Sequence, residues 1–255
     1  MRFKFTNQEK GSAMIDHNSS IPMYIQISKK LSDAIYQGEY SPGDKLPSEN
    51  NLCRQFDVSR ITVRQAMNLL IQQGLAFSVH GKGTFVKKLN INHELNEIIS
   101  FSSVLQQKGL KGHTRIQSFC TDYSDEKIRN LLGGEVSNLN LIGYAAQTPV
   151  VYYRSFFKPE LGQRMWRAAQ QAELTDTAFS TYDLYSTIGV NKFRVEQNIS
   201  AINADTELAH ILDLPKKKAL IVLESMYYAS DGTPLEYKLG HYHSDIYSFH
   251  IQRKI

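Results

Sequence analysis

The stretch Leu46–Val86, LPSENNLCRQFDVSRITVRQAMNLLIQQGLAFSVHGKGTFV, carries the reading of the whole chain. Ser48 stands where a side-chain oxygen caps the orphan N–H groups of a helix start, and Glu49 suits the positive end of that helix's dipole. Leu52 and Phe56 lie one turn apart, which gives a short helix one buried face. Asp57-Val58-Ser59 supplies a tight turn, with Ser59 as the next cap. The following helix runs from Arg60 to about Gln73 and stops at Gly74. Its faces separate cleanly, with Val63, Ala66, Met67 and Leu70 inward and Arg60, Ile61, Arg64, Gln65 and Asn68 outward. Two short helices across a turn of three or four residues make a helix-turn-helix, whose second helix fits a DNA major groove about 12 Å wide. Arg60 and Arg64, one turn apart, suit guanine edges or phosphates; Gln65 and Asn68 suit adenine.

Beyond Gly74, Leu75–Val79 and Thr84–Lys88 favour strands around His80-Gly81-Lys82-Gly83. Such a hairpin is a wing whose glycine-rich tip comes close to a phosphate backbone or minor groove. Before Leu46, Ser41-Pro42-Gly43-Asp44 is a turn, and Pro22 opens an amphipathic helix with Tyr24, Ile27, Leu31, Ala34 and Ile35 on one side, ended by Gly38. Residues 1–20 read as a polar, mobile leader. The plainer reading of these elements is a structural subdomain with a solvated basic face.

Charge separates the chain in the same place. Residues 1–90 hold 12 Lys+Arg and 7 Asp+Glu, net +5, whereas residues 91–255 hold 17 and 18, net −1. A basic module for a polyanion and a neutral module with another task follow from that asymmetry. The longest apolar runs, such as 219–223, fall far short of the ~20 residues that span a bilayer. The first fifteen residues have no apolar core of a secretory signal, and Cys53 and Cys120 are far apart, so a cytoplasmic protein with reduced thiols and no membrane partner is expected. No Walker A, GxGxxG, GxSxG or HExxH sequence occurs, and the HxH pair His241 and His243 is two ligands short of the usual metal site. No catalytic residue, metal or cofactor is expected.

Lys87-Lys88-Leu89-Asn90 reads as a linker into a second part of mixed helices and strands. Helices are expected at Glu94–Lys108, Asp125–Leu132, Gln163–Ala172, Thr181–Ile188 and Asp205–Leu212. Strands are expected at Thr114–Tyr123, Asn138–Ala146, Val150–Lys158, Val190–Ala201, Ala219–Ala229 and Leu235–His243, the last two joined by the turn Ser230-Asp231-Gly232-Thr233. Hairpins outnumber crossovers, so the fold class is α+β with an antiparallel sheet. Polar groups such as Tyr153, Arg154, Glu236, Tyr237, Tyr242 and Asp245 interrupt these strands. They are either solvated or convergent in a pocket.

Residues 21–88, through LPSE, VSR-x-TVR and GKGTFV, closely resemble the winged helix-turn-helix of GntR-type transcriptional regulators. The resemblance implies DNA contacts by Glu49, Ser59, Arg60, Thr62 and Arg64, with His80 and Gly81 of the wing in the minor groove and Lys82 at phosphate. Asn50 stands where many relatives carry arginine, and Gln65 joins the base-reading face. Residues 93–251 resemble, more loosely, the UTRA effector-binding domain of the HutC branch, whose fold is like that of chorismate lyase. The pieces are Ser100-Phe101-Ser102, the strand from Pro149 to Phe156, Ser180-Thr181-Tyr182, and Gly232-Thr233-Pro234-Leu235-Glu236 with Tyr242 and Asp245. The resemblance implies a ligand site made by Ser100, Phe101, Ser102, Ser180, Glu236 and Tyr242; Tyr153, which stands where relatives often have glutamate, and Tyr182 join the candidate set as aromatic contacts. Many relatives carry an Arg-x-Arg pair where this chain has Leu141-Ile142-Gly143, so a bidentate phosphate clamp is absent.

The expected organisation is therefore a leader (1–20), a winged helix-turn-helix domain (21–89) and a UTRA-like effector-binding and dimerisation domain (90–255). The expected function is a metabolite-responsive repressor that binds an inverted-repeat, double-stranded operator as a homodimer. Its effector is expected to be a small molecule other than a phosphosugar. Two alternatives stand beside this: a second domain that only dimerises, and a lyase-like enzyme.

Overall fold

Helical and strand periods alternate along the chain, and the computed structural model follows them. It describes residues 15–16, 19–36, 38–87, 90–96, 100–192 and 194–253. The leader expected over residues 1–20 and the centre of the expected linker lie mostly outside these. The chain divides into two compact units, Met1–Leu89 and Asn90–Ile255.

In the first unit, helices α1 (Met23–Tyr36), α2 (Glu49–Phe56) and α3 (Arg60–Gln72) precede a hairpin of β1 (Ala76–Val79) and β2 (Gly83–Val86). Ile27 and Leu31 of α1, Leu52 and Phe56 of α2, and Val63, Ala66 and Leu70 of α3 form the buried core. Both caps form: Ser48 Oγ accepts from Asn51 N–H at 3.2 Å and Ser59 Oγ from Thr62 N–H at 3.3 Å. Asp57 ends α2 in the left-handed region (φ 51°), a conformation that aspartate tolerates better than most residues. Residues 43–46 pair along β2, with Gly43 N–H to Val86 O at 2.9 Å and Leu46 N–H to Thr84 O at 2.9 Å. This pairing ties the wing to the segment that leads into α2.

The second unit contains β3 (Ile91–Glu94), α4 (Phe101–Gln107), β4 (Gly112–Cys120), α5 (Glu126–Leu132), β5 (Ser137–Ala145) and β6 (Thr148–Phe157). It continues with α6 (Pro159–Glu173), α7 (Thr181–Thr187), β7 (Arg194–Asn203), α8 (Thr206–Ile211), β8 (Ala219–Tyr228), β9 (Pro234–His243) and β10 (Tyr247–His250). Six strands form one sheet in the order β4-β5-β6-β9-β8-β7, every neighbour antiparallel. The α+β class is as expected. Ile142, Tyr152 and Leu220 on one face pack against Leu208, Ala209 and Leu212, and Phe156 and Tyr237 pack against Ile128 and Leu132. The opposite face carries Leu141, Tyr153, Lys238 and Tyr242 and is covered by α4, α6 and α7.

One expected element is wrong. The helix read at Glu94–Lys108 begins only at Phe101, because Ser100 caps it through Ser103 N–H at 3.2 Å. Ile91–Glu94 instead pairs in parallel with β10, a strand that the sequence reading left out. Residues 97–99 lie outside the described residues.

Gly162 marks the contact of α6 with β5. A Cβ there meets Ser137 Oγ at 1.8 Å and Ser137 Cβ at 2.9 Å. Gly162→Ala is therefore expected to destabilise the protein by about 1–3 kcal/mol through overpacking. A urea titration checks this through a lower midpoint at unchanged slope.

Candidate nucleic-acid interface and second-domain cleft

The buried side of α3 leaves the opposite side to solvent. Arg60, Ile61, Arg64, Gln65 and Asn68 are all exposed, Ile61 at 71%. Arg64 Nε donates to both oxygens of Glu49, at 3.1 and 3.0 Å. Both partners are largely exposed, so the pair adds little stability. It holds the guanidinium through Nε and leaves the two terminal nitrogens, a fork suited to a guanine edge, out of the pair. Glu49 is thus the brace of Arg64. Thr62 Oγ1 lies 3.0 Å from Ser59 Oγ, so those two hydroxyls hold the helix start together. Asn50 is exposed on α2, and its carbonyl accepts from Arg54 Nε at 3.4 Å.

The wing turn places His80, Gly81 and Lys82 in solvent. Lys82 N–H closes the turn on Val79 O at 3.0 Å, and Gly81 adopts φ 72°, where a side chain would be strained. Phe77 and Phe85 stack at 5.8 Å and stiffen the hairpin. In the first unit the sequence-predicted residues therefore fall on the outer side of α2 and α3 and at the wing tip.

In the second unit a narrow cleft with an internal volume of about 30 Å³ lies under α4 and α7. Six of the eight expected ligand residues line it: Ser100, Phe101, Tyr153, Ser180, Tyr182 and Tyr242. The other two do not. Ser102 turns to Asp183, donating to Oδ1 at 3.1 Å. Glu236 is fully buried beneath the lining, where Thr181 Oγ1 donates to its Oε1 at 2.6 Å.

The cleft also holds a cation that sequence reading missed. Lys238 lines it although only 7% exposed. Its Nζ donates to Thr181 Oγ1 at 3.1 Å, lies 3.9 Å from Glu236 Oε1, and sits 4.8 Å from the Tyr227 ring centroid. Burial lowers the pKa of Lys238, but the Glu236 carboxylate beside it outweighs burial and holds the ammonium above its usual range. The signal was available: Glu236, Lys238, Gly240 and Tyr242 alternate on one strand, so they share a face. Burial pushes the Tyr153 phenol well above the usual tyrosine range and raises Tyr242 to about 12, so both act as neutral hydroxyls.

Positions 141 and 143 are closed to long side chains here. Leu141 is fully buried, and a Cβ on Gly143 would meet the Phe101 ring at 2.7 Å and Val151 Cγ1 at 2.7 Å. Among the described residues no group of three or more His, Cys, Asp or Glu is placed to hold a metal ion. Nor is any helix among them long and apolar enough to cross a membrane.

A groove-reading helix with a wing, followed by an antiparallel α+β unit with a polar cleft, defines a DNA-binding regulator with a sensor domain. Comparison with known proteins agrees. Residues 23–86 match the family described as "Bacterial regulatory proteins, gntR family", and residues 107–248 match the UTRA domain. The chain belongs to the GntR family of transcriptional regulators, in the branch that carries a UTRA domain, and is not an enzyme. It is 28% identical to the HTH-type transcriptional repressor NagR of Bacillus subtilis (strain 168) over 239 residues, 92% of this chain and 96% of that one. It is 26% identical to the mannosyl-D-glycerate transport/metabolism system repressor MngR of Escherichia coli (strain K12) over 243 residues, 91% and 97% of the two chains. PhnF from Mycobacterium smegmatis shares the fold, with a TM-score of 0.59 at 21% identity over 89% of this chain and 99% of that one.

His93 on the cleft wall gives a pH test. Its Nδ1 is 2.7 Å from the Tyr247 hydroxyl, and burial, reinforced by the Lys238 charge, lowers its pKa from 6.5 to about 4. As pH falls through 6.5 the unfolded chain takes up a proton that the folded chain refuses until about 4. Stability therefore declines across that window and is fully present above it. His93→Gln is expected to flatten this decline, read as the unfolding midpoint at successive pH values; an unchanged slope would rule it out.

Proposed function

We propose that this protein is a metabolite-responsive repressor that binds an inverted-repeat operator as a homodimer and releases it when a small molecule enters the second-domain cleft. The observation that carries the DNA half is the exposed face of α3, where Arg60, Gln65, Asn68 and a braced Arg64 project together from a buried base. In the major groove, Arg60 and Arg64 read guanine, Gln65 and Asn68 read adenine, and Ile61 meets a thymine methyl. Ser59, Thr62 and Lys82 contact phosphates, and His80 and Gly81 approach the minor groove. Glu49 acts through Arg64, and Asn50 faces the same side. Repression is supported by the names of NagR and MngR.

For the effector, Ser100, Phe101, Ser102, Tyr153, Ser180, Tyr182, Glu236 and Tyr242 remain the proposed set, with Ser102 and Glu236 acting through Asp183 and Thr181. Lys238 joins them. Because Glu236 lies 3.9 Å away and cancels most of its charge, Lys238 offers a dianionic phosphate little net positive charge. A neutral or singly charged metabolite rich in hydroxyls fits the hydroxyl- and phenol-lined walls better than a phosphosugar.

Selection of bound DNA from a random pool supplies the operator. On it, Arg60→Ala is expected to cost about 1–3 kcal/mol and to relax preference at one base position, whereas Lys82→Ala weakens all sequences alike. Binding should also fall steeply with salt. Wild-type affinity in Arg60→Ala overturns the assignment of α3. Thermal-shift screening against neutral sugars, carboxylates and sugar phosphates tests the cleft: the first two groups are expected to stabilise the protein and to weaken operator binding, and a response confined to sugar phosphates overturns the effector class.

A further inference from the structure

The six-stranded sheet has a second face, turned away from the cleft, and two helices cover it unevenly. α5 packs on Phe156 and Tyr237, and α8 packs on Ile142, Tyr152 and Leu220. Between these covered rows runs another row of side chains. Strand register sets Asn140 of β5 opposite Arg154 of β6, Arg154 opposite Leu239 of β9, and Leu239 opposite Glu224 of β8. All four are only half-buried. They form the floor of a groove with a helix along either side.

The groove holds polar groups that the fold leaves unused. Arg154 Nη2 donates to the Tyr123 hydroxyl at 2.8 Å, and among the described residues no carboxylate pairs with the guanidinium. Glu224 Oε1 accepts from the Tyr237 hydroxyl at 2.8 Å, and among the described residues nothing bonds to its Oε2. Leu239 separates the two charged residues, which stand about 10 Å apart at the backbone. Asn140 Nδ2 donates to Ser118 Oγ at 2.8 Å, which leaves Asn140 Oδ1 buried without a partner. His241, opposite Tyr152 and one row along from Arg154, is 6% exposed, and its Nδ1 has no partner either. Buried polar atoms are nearly always paired, so two such atoms beside an unpaired arginine mark a place for a ligand.

We propose that this groove is a second small-molecule site, which takes a zwitterion of the amino-acid class with its carboxylate on Arg154 and its ammonium on Glu224. The guanidinium offers a carboxylate a planar, bidentate fork. Glu224 Oε2 accepts from the ammonium, and Asn140 Oδ1 accepts a further N–H. A plain anion is repelled by Glu224 and by Glu207 of α8, and a plain cation by Arg154, so a ligand bearing both signs fits best. The site is distinct from the cleft because strand residues alternate between faces: Tyr153 and Lys238 line the cleft, whereas Arg154 and Leu239 floor the groove. The inference does not depend on what the cleft binds.

The test uses the full chain. Each common amino acid, and glycylglycine, is added at millimolar concentration while the melting temperature is followed, and calorimetry gives the affinity of any that raises it. At least one is expected to bind. Its methyl ester, which lacks the carboxylate, and its N-acetyl form, which lacks the ammonium, are expected to bind about tenfold or more weakly. Arg154→Gln and Glu224→Gln are expected to lose binding, Arg154→Lys to keep part of it, and Tyr182→Ala in the cleft to keep all of it. The ester and N-acetyl comparison is made on the unaltered protein and holds even where a variant fails to fold. Binding that survives Arg154→Gln but is lost in Tyr182→Ala puts the ligand in the cleft and overturns the groove. Equal binding of the ester or the N-acetyl form overturns the zwitterion class, and no binding by any of these probes overturns the proposal.

Discussion

One hydroxyl holds two buried charges in the second unit. Thr181 Oγ1 donates to Glu236 Oε1 at 2.6 Å and accepts from Lys238 Nζ at 3.1 Å, with the two charges 3.9 Å apart. The period of a strand forces both residues to one face, and that face is buried. Taking two ions out of water costs several kcal/mol each unless geometry and further hydrogen bonds offset it. Thr181 supplies that bond only if the start of α7 sits directly over β9. From there the constraint spreads. Ser180 caps α7, with its N–H donating to Asp183 Oδ2 at 2.8 Å, and Asp183 Oδ1 accepts from Ser102 of α4 at 3.1 Å. The roof of the cleft is thus pinned to its floor by one continuous polar chain.

How far the sequence revealed this depends on the range of the forces concerned. Elements set by local rules were legible: α3 from its apolar period and Ser59 cap, α5 and α8 from Asp125 and Asp205, the β8–β9 hairpin from Asp231-Gly232. What depended on distant partners was not. Residues 91–94 carry too few apolar positions to read as a strand alone, and they become one only because β10 lies beside them, more than 150 residues away in the chain. The strand period puts Lys238 on the face of Glu236 but does not say that this face is buried. Its burial depends on Glu236 and Thr181, and the second of these lies on another element. Ser102 and Glu236, which the resemblance implies for the ligand site, do not line the cleft, because a motif records proximity and not which way a side chain turns.

The two functional surfaces differ in how they are preorganised. On α3 the side chains proposed to read DNA are exposed, and Glu49 holds Arg64, which limits the entropy its guanidinium would lose on meeting a base. Long free side chains such as Arg60 and Gln65 lose more. In the cleft the opposite holds. Its hydroxyls belong to buried or capped residues, so the positions of its polar groups are set before any ligand arrives, and discrimination falls to which ligand leaves none of them unpaired.

That rigidity constrains how ligand and DNA are coupled. A ligand shifts a conformational equilibrium only as far as it binds the two states differently. A roof pinned through Thr181 and Asp183 offers little differential movement. The rim offers more. Lys192 Nζ lies 3.9 Å from the Tyr182 ring centroid and donates to the Tyr182 carbonyl at 2.9 Å, with nothing comparable to the buried pair beneath it. Two residues further on, β7 begins, carrying Gln197 on the cleft wall and Ile199 on the open edge. A ligand that displaces Lys192 from Tyr182 acts directly on the start of β7, a strand that itself lines the cleft through Gln197.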